Sequence, residues 1–302
     1  MDKVLIKQIL FYASWLAWPF IAWLLWRLWT QRKPAQRALV GLLLLGSLVF
    51  VWARFVEPQW IQVRHTTLAG SGVQARIALI SDVHLGVYKS PAYLQRVVER
   101  LNELDVDAVA IAGDLTYEPQ VRPESLAEMF APLSQLRMPV YAVLGNHDQQ
   151  MPGPDIDLAL RAALRSHGVR IIEGTTESTA AGYRWAGLGD RWAQKDDPSF
   201  LRARADPAVP TLLLVHNPDS AMQLRPGDAA LVLAGHTHGG QIRIPWLYQR
   251  VIPTEHGFDR GEQWAPAPQG RVRVFTTSGL GEIGLPLRLF NPPVIDVLQL
   301  QR

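Results

Sequence analysis

Two histidines, His236 and His238, stand one residue apart in a glycine-flanked turn that follows the apolar run Leu231–Ala234. A short apolar run predicts a buried strand, and the glycines let the backbone turn sharply at its end. Two imidazoles in such a turn can point into one small volume, and imidazole is the commonest metal ligand among side chains. The pair predicts part of a metal site whose other ligands come from elsewhere in the chain.

Four other apolar runs also end in residues of metal-ligand type. These endings are Asp82-Val83-His84, Gly113-Asp114, Gly145-Asn146-His147-Asp148 and His216-Asn217-Pro218. Each fragment alone is weak evidence for a metal site. A Gly-Asp pair commonly forms a turn, and a lone histidine such as His216 is more often a hydrogen-bonded structural residue. Ligands of α/β sheets bind at the carboxyl ends of the strands, so five such endings in one chain indicate one shared site.

The composition limits the chemistry of this site. The 302 residues include no cysteine, which excludes disulfides, zinc-thiolate sites and iron–sulfur clusters and leaves His, Asp, Glu and Asn as ligands. The net charge of +3 is unevenly distributed, since residues 1–56 hold seven basic residues against one acidic residue and the rest of the chain carries −3. A mildly acidic main part does not support a phosphate-tracking surface, so we expect no specific nucleic-acid binding.

The elements that position these residues follow from the apolar pattern after residue 75. Short apolar runs typical of strands alternate with amphipathic runs such as 91–104, whose apolar residues fall on one helical face. The first half of this region repeats strand and helix, and the second half is richer in strands. The pattern predicts α/β layers around mixed sheets.

Two apolar runs precede this region, at residues 9–25 and 38–56, and the segment between them carries four positive charges. Each run is close to the length that crosses a bilayer as a helix. A cleaved signal peptide followed by a buried helix is the alternative, but the first run is too long and lacks a small-residue cleavage site. We predict a two-span membrane anchor at 1–57, a linker at 58–75 and a main domain at 76–302.

The five strand endings together resemble the calcineurin-like metallophosphoesterase superfamily over about residues 76–300. The stretch from His238 to Pro245 and the stretch from Ser278 to Gly281 are similar to its membrane-anchored branch, which includes the bacterial YaeI and YkuE proteins. The resemblance implies that the main domain is a catalytic four-layer α/β/β/α sandwich with two mixed sheets, preceded by an N-terminal transmembrane helical hairpin.

Carried over residue by residue, the resemblance implies a two-metal site bridged by the carboxylate of Asp114. One metal would be bound by Asp82, His84, Asp114 and His238, and the other by Asp114, Asn146, His216 and His236. His147 would protonate the leaving oxygen or contact the phosphate. Asp148 would orient His147, and simple turn capping is the alternative role for Asp148. These nitrogen and oxygen ligands suit Mn²⁺, Zn²⁺, Fe²⁺ or Co²⁺.

The implied reaction is metal-dependent hydrolysis of a phosphoester. Two divalent cations about 3.5–4 Å apart hold a bridging hydroxide for in-line attack on phosphorus. We expect a phosphodiesterase. The alternatives are a UDP-2,3-diacylglucosamine-type pyrophosphatase of lipid A synthesis and, from another class, a non-catalytic metal-binding membrane scaffold. The scaffold should have lost a ligand, and the sequence retains them all.

The anchor narrows the partners to the lipid bilayer and to a phosphoester substrate that is lipid-linked or contains a nucleotide. We expect a multi-pass protein of the bacterial inner (cytoplasmic) membrane. The positive charges between the two spans favour a cytoplasmic connection and an extracytoplasmic catalytic domain, although Lys3, Lys7, Arg54 and Arg64 balance that count.

The segment 242–268 follows the metal-binding turn and holds four aromatic residues among three arginines. One interpretation is a substrate-shaping loop whose aromatic residues face lipid or a base and whose arginines meet phosphate. The other is a surface loop packed on its own domain.

Overall fold

Two six-stranded sheets lie at the centre of the fold. The structure is a computed structural model, and it describes residues 3–119, 122, 125–149, 156–203, 206, 208–267 and 270–302. The strands of the first sheet are β1 Gln62–Leu68, β2 Ala75–Ile80, β4 Ala108–Ala112, β6 Val140–Val143, β7 Val169–Ile171 and β14 Val294–Leu300. Their order is β1-β14-β2-β4-β6-β7. Every neighbouring pair is parallel except β14 and β2, which are antiparallel. The sheet is therefore mixed.

The second sheet is also mixed. Its strands are β8 Thr176–Ser178, β9 Arg184–Gly187, β10 Thr211–Leu214, β11 Leu231–Ala234, β12 Gly261–Ala267 and β13 Gly270–Thr276. They lie in the order β12-β13-β11-β10-β9-β8, with antiparallel pairs at both ends and parallel pairs between. The two short strands β3 Leu85–Gly86 and β5 Thr116–Tyr117 form a separate parallel pair.

Side chains of the central strands alternate between two interiors, as strand geometry requires. Ala78 and Ile80 of β2 pack in the core beneath the helices, whereas Ile77 and Leu79 pack between the sheets. The helices over the first sheet are α4 Pro91–Asn102, α5 Leu126–Phe130 and α6 Asp157–Ser166. Both β4 and β11 are buried along their whole length, which explains why their sequences are continuous apolar runs.

The layer outside the second sheet is thin. It consists of the short helix α7 Ser199–Ala203 and the 3₁₀-helix Pro218–Gln223, which cover a third apolar core. The predicted α/β sandwich with two mixed sheets is confirmed.

The N-terminal part is helical and apolar. Its helices are α1 Lys3–Ala13, α2 Ala17–Thr30 and α3 Pro34–Val51, with a single 3₁₀ turn between α1 and α2. The stretches Lys3–Thr30 and Pro34–Gln59 are each long and apolar enough to cross a membrane. The helices α2 and α3 pack against each other, so the two stretches form a hairpin whose outer face is apolar, which suggests membrane anchoring.

The stretch 58–75, which we predicted as a linker, contains β1. This strand pairs in register with β14 from Gln62 opposite Val294 to Leu68 opposite Leu300. It is an edge strand and only its last residue is buried, so its sequence lacks the apolar run that reveals the central strands. The first sheet therefore begins before the predicted boundary at residue 76.

Candidate metal centre

The five predicted strand endings converge at the carboxyl edges of the two sheets. Asp82 and His84 follow β2, Asp114 follows β4 and Asn146 follows β6; from the second sheet, His216 follows β10, and His236 and His238 follow β11. All seven side chains are buried, the most exposed being His236 at 4%. The structure brings together every residue that the sequence predicted as a metal ligand.

Backbone strain is concentrated in these endings. Five of the predicted ligands have positive φ values, namely Asp82, His84 and Asp114 at 52°, His236 at 70° and His238 at 50°. This left-handed region is uncommon for residues other than glycine, and it persists where the surrounding structure enforces it, often at functional sites. Glycines in the same strand endings let neighbouring loops approach each other closely. A Cβ at Gly145 would lie 2.1 Å from Asp114 Oδ1, so only glycine leaves room for that carboxylate.

One cluster consists of Asp82, His84 and His238, whose ligand atoms lie within 4.8 Å of one another. The Nε2 atoms of the two histidines are 3.1 Å apart, and His238 Nε2 is 3.4 Å from Asp82 Oδ1. The other carboxylate oxygen of Asp82 accepts hydrogen bonds from the hydroxyl of Ser81 and the backbone N–H of His236. Those bonds fix the carboxylate and leave Oδ1 directed at the histidines.

The second cluster consists of Asp114, His216 and His236. His216 Nε2 lies 3.1 Å from His236 Nδ1, 3.2 Å from Asp114 Oδ2 and 3.0 Å from the side-chain oxygen of Asn146. Asp114 Oδ1 accepts the backbone N–H of His147 at 2.9 Å. Asp114 Oδ2 is also 3.6 Å from His84 Nε2, so one carboxylate oxygen faces both clusters.

The donor set fits divalent cations. His84 Nδ1 and His216 Nδ1 lie 3.2 and 2.7 Å from the carbonyl oxygens of Thr116 and Ala112, so each donates there and turns an Nε2 lone pair toward the cluster. Asp82 Oδ1 and His236 Nε2 have no hydrogen-bond partner among the described residues. Buried lone pairs that converge without protons between them are costly unless a cation binds there.

The pKa values of the candidate ligands also indicate a site for a positive charge. Burial lowers the pKa of His84 and of His238 to about 3, so both rings are neutral near pH 7. Burial also opposes charge on His216, but the Asp114 carboxylate outweighs it and raises the pKa of His216 to about 10, so a proton beside Asp114 competes with a cation for the Nε2 atom of His216. Burial opposes charge on Asp114 too, yet His216 and its neighbours hold the pKa of Asp114 well below its usual range. The space beside Asp114 therefore attracts positive charge.

His147 and Asp148 lie beside the clusters but are not hydrogen-bonded as we predicted. The carboxylate of Asp148 accepts the backbone N–H groups of Leu115, Thr116 and Gly145 at 2.9–3.1 Å and the hydroxyl of Thr116 at 2.8 Å. The prediction that Asp148 orients His147 is therefore replaced by its alternative, turn capping, because the carboxylate points back into the loops. His147 is held instead through its backbone bond to Asp114.

A cavity of about 450 Å³ opens beside both clusters. Its inner wall includes Asp114, Asn146, His147, His236 and His238, and its mouth includes Ile242, Val251, Pro253, Ile283 and Leu285. A floor of acidic, amide and imidazole side chains below an apolar mouth suits a ligand with a charged head and an apolar part.

Comparison with known proteins identifies the family of the chain. The sequence model of the calcineurin-like phosphoesterase family matches residues 75–240, which include all seven predicted ligands, His147 and Asp148. The chain belongs to this family. Calcineurin-like phosphoesterases use divalent metals, and this chain is a metal-dependent phosphoester hydrolase.

Relatives of this calcineurin-like phosphoesterase extend over most of its length. "Phosphodiesterase YaeI" of Escherichia coli is 26% identical over 83% of this chain and 92% of its own length. The metallophosphoesterase YkuE of Bacillus subtilis is 28% identical over 90% of this chain and 98% of its own. "UDP-2,3-diacylglucosamine pyrophosphatase LpxG" of Chlamydia muridarum is 23% identical over 87% of this chain and 96% of its own. The predicted resemblance to YaeI and YkuE is confirmed.

Three residues near the centre of this calcineurin-like phosphoesterase escaped the sequence analysis. Trp192 lies edge-on to His236, with ring centroids 4.8 Å apart, and Tyr117 lies edge-on to His147 at 5.1 Å. Burial raises the pKa of Asp190 to about 6. Asp190 follows β9 in a Gly-Asp pair like the one before Asp114, so the same signal could have found it; the two aromatic residues carry no comparable signal.

Proposed function

We propose that this chain is a membrane-anchored phosphodiesterase that holds two divalent cations in the two clusters. The observation that carries the proposal is the position of Asp114 Oδ2, 3.2 Å from His216 Nε2 and 3.6 Å from His84 Nε2. A carboxylate oxygen shared in this way is what a two-metal phosphoesterase site requires. The name of the YaeI relative supports the diester over the monoester.

The proposed ligand sets follow the two clusters. The first cation takes Asp82, His84, Asp114 and His238, and the second takes Asp114, Asn146, His216 and His236. Nitrogen and oxygen donors of this kind accept Mn²⁺, Zn²⁺, Fe²⁺ or Co²⁺. When bound, such a pair supplies Lewis-acid activation of water and neutralises charge on the phosphate.

Side chains of the chain itself shape the cavity and donate the proton in the proposed reaction. Asp114, Asn146 and Trp192 line the cavity beside the two clusters. Burial lowers the pKa of His147, so at neutral pH its ring is neutral and keeps one N–H to donate to the phosphate or the leaving oxygen. In the hydrolysis, water adds to phosphorus, the P–O bond to the leaving alcohol breaks, and a proton passes to the leaving oxygen.

The test uses the full chain in detergent, stripped with a chelator and reloaded with Mn²⁺. We expect metal-dependent hydrolysis of bis-p-nitrophenyl phosphate that exceeds hydrolysis of p-nitrophenyl phosphate. Asp114→Asn should lower kcat by roughly 100-fold or more, since it removes the shared charge. His65→Ala, at an exposed position on β1, is the matched control and should retain activity. Equal activity of Asp114→Asn and wild type would overturn the proposal.

A second candidate is a UDP-2,3-diacylglucosamine-type pyrophosphatase. The LpxG relative and the apolar mouth of the cavity favour it. Hydrolysis of UDP-2,3-diacylglucosamine at a rate above that of bis-p-nitrophenyl phosphate would select this candidate, and resistance of the lipid to cleavage would eliminate it.

We infer that residues 1–57 anchor the chain in an inner membrane and that the catalytic domain is extracytoplasmic. The inference rests on the four positive charges between the two spans. Alkaline phosphatase fused to the C-terminus should be active and a fused fluorescent protein dark. The opposite pattern would put the domain in the cytoplasm and favour the pyrophosphatase.

A further inference from the structure

Two segments beside the cavity expose an unusual amount of apolar surface, and we call them the apolar rim: residues 242–251 and 283–290. Its exposed large side chains are Ile244, Trp246, Leu247, Val251, Leu285 and Phe290. Trp246 is 84% exposed and Phe290 is 65% exposed. Clustered aromatic and aliphatic residues of this kind mark a contact surface, whereas single ones are ordinary.

The two segments form one continuous surface. The backbone N–H of Arg243 donates to the carbonyl of Leu289 at 2.9 Å, and the N–H of Leu289 donates to the carbonyl of Gln241 at 3.2 Å. The side chain of Gln241 donates to the carbonyls of Ile283 and Leu285, both at 3.0 Å. The apolar rim is therefore a bonded unit and not a pair of independent loops.

The charges of the apolar rim suit a lipid surface. Neither segment contains an acidic residue. Arg243 is occupied by Asp259, and Arg288 is fully buried, where it donates to backbone carbonyls such as that of Ser278. Only Arg250 presents an exposed positive charge. Aromatic and aliphatic side chains with an arginine and no carboxylate are the composition of membrane-interface surfaces.

The two most exposed aromatic residues of the apolar rim also have strained backbones. Trp246 has φ 65° and Phe290 has φ 58°, values that are genuine outliers for bulky side chains. The fold thus holds both rings outward in conformations that local preference disfavours. Contact of both rings with a lipid phase would compensate for the cost of this arrangement.

The apolar rim continues directly into the apolar helices. The backbone N–H of Arg288 donates to the carbonyl of Ala53, just beyond α3, at 2.9 Å. The hydroxyl of Tyr88 donates to the carbonyl of Gly284 at 2.5 Å, and the ring of Tyr88 stacks on Phe11 of α1 with centroids 5.6 Å apart. Whatever surrounds the ends of the hairpin lies next to the apolar rim.

The apolar rim also forms the mouth of the cavity, because Val251, Ile283 and Leu285 line it. We propose that the apolar rim lies in the bilayer interface and that the cavity opens onto the membrane. The substrate is then an amphiphilic phosphoester, whose phosphate enters the cavity while its alkyl chains remain in the lipid. This substrate class rests on the proposed phosphodiesterase function, but the membrane contact does not.

The membrane contact can be tested with spin labels, because the chain has no cysteine of its own. Trp246→Cys and Leu247→Cys are labelled with a nitroxide in the full chain and reconstituted in phosphatidylglycerol–phosphatidylcholine vesicles. The matched control is Ala181→Cys, an exposed residue beside the amino ends of β2 and β4, at the opposite edge of the sheets.

We expect the two rim labels to collide mainly with oxygen and the label at 181 mainly with a water-soluble nickel chelate. The proposal fails if both rim labels are as accessible to the nickel chelate as the control. It also fails if the rim labels in vesicles are shielded from oxygen as well as from the nickel chelate, an outcome that would indicate burial against a protein partner or a second copy.

The substrate class is tested with p-nitrophenyl phosphodiesters whose second ester group is methyl or dodecyl. In vesicles, kcat/KM of the dodecyl ester should exceed that of the methyl ester by about tenfold or more, since each buried methylene adds to partitioning. Trp246→Ser with Leu247→Ser should lower that ratio toward one. A ratio near one in wild type overturns the substrate class, whereas failure to hydrolyse either ester overturns the proposed function instead.

Discussion

Lys7 in α1 and Glu118 beside the metal centre form an ion pair, with Nζ and Oε1 2.7 Å apart. The ammonium of Lys7 also lies 4.2 Å from the ring centroid of Tyr117, whose ring packs edge-on to His147. A charge in an apolar membrane helix is costly unless it is paired, and such residues commonly serve function. The ion pair connects the first apolar helix to the segment after β5, whose Tyr117 packs against the proposed acid His147.

Removal of this ion pair should lower kcat without releasing bound metal. Lys7→Met in the full chain should lower kcat by roughly threefold to tenfold, because small displacements of catalytic groups are costly. Lys7→Arg should restore much of the loss. Lys3→Met, at an exposed position of the same helix, is the control, and bound metal per chain should be unchanged in all three variants. Equal rates for Lys7→Met and Lys3→Met would refute the coupling.

The two clusters should lose their metals separately. His238→Ala removes a donor from the first cluster only, and His216→Ala removes one from the second, so each variant should retain about one ion per chain, and wild type should hold two. Asp114→Asn should weaken both sites. Elemental analysis after gel filtration measures the ratio directly, independently of activity. Loss of both ions in His238→Ala would argue against two separable sites.

Asp148 should act on stability rather than on proton transfer. Its carboxylate accepts four hydrogen bonds from the loops after β4 and β6. Asp148→Ala leaves those buried donors unsatisfied and should lower the free energy of unfolding by about 2–4 kcal/mol. Thermal unfolding in detergent checks the loss. If Asp148 instead oriented His147, the variant would unfold normally and lose activity.

Lys89 should make stability rise with pH in the alkaline range. Its ammonium is buried, donates to the carbonyl of Pro58 at 2.8 Å and lies 3.0 Å from Glu282. Burial lowers the pKa of Lys89 to about 8, despite the opposing effect of Glu282, from an ordinary value of 10.5. Between those values the unfolded chain binds a proton that the folded chain does not, so folding becomes more favourable as pH rises.

The comparison with Lys89→Met cancels the contributions of titrating groups that do not contact Lys89, and Glu282→Gln with Lys89→Met removes the contribution of its partner Glu282 as well. The difference in Tm between wild type and variant should shift in favour of wild type by a few degrees from pH 7.5 to pH 9.5 (about 2–4 °C for each 1 kcal/mol). If the difference in Tm stays constant or falls as pH rises, Lys89 keeps its charge over this pH range.

The convergence of the candidate ligands could be predicted because each of them follows an apolar run that must be buried. Parallel strands bring their carboxyl ends to one edge, so Asp82, Asp114 and His216 meet although they are far apart in the chain. The strand β1 could not be predicted, since an edge strand with partly exposed residues has no apolar run. The bonds of Asp148 depend on turn geometry, and the pairing of Lys7 with Glu118 spans 111 residues, so neither leaves a local signal.

The position of β14 between β1 and β2 has a consequence for biosynthesis. Arg64 of β1 and Asp296 of β14 are hydrogen-bonded partners 232 residues apart. A ribosome needs roughly ten to fifty seconds to translate that interval. During that time the apolar helices are already available for insertion. The nascent chain contains β1 and β2, but β14, which pairs with both, has not yet been synthesised. Until β14 is made, the unpaired edges of β1 and β2 are therefore exposed to pairing with other chains, which is a route to aggregation.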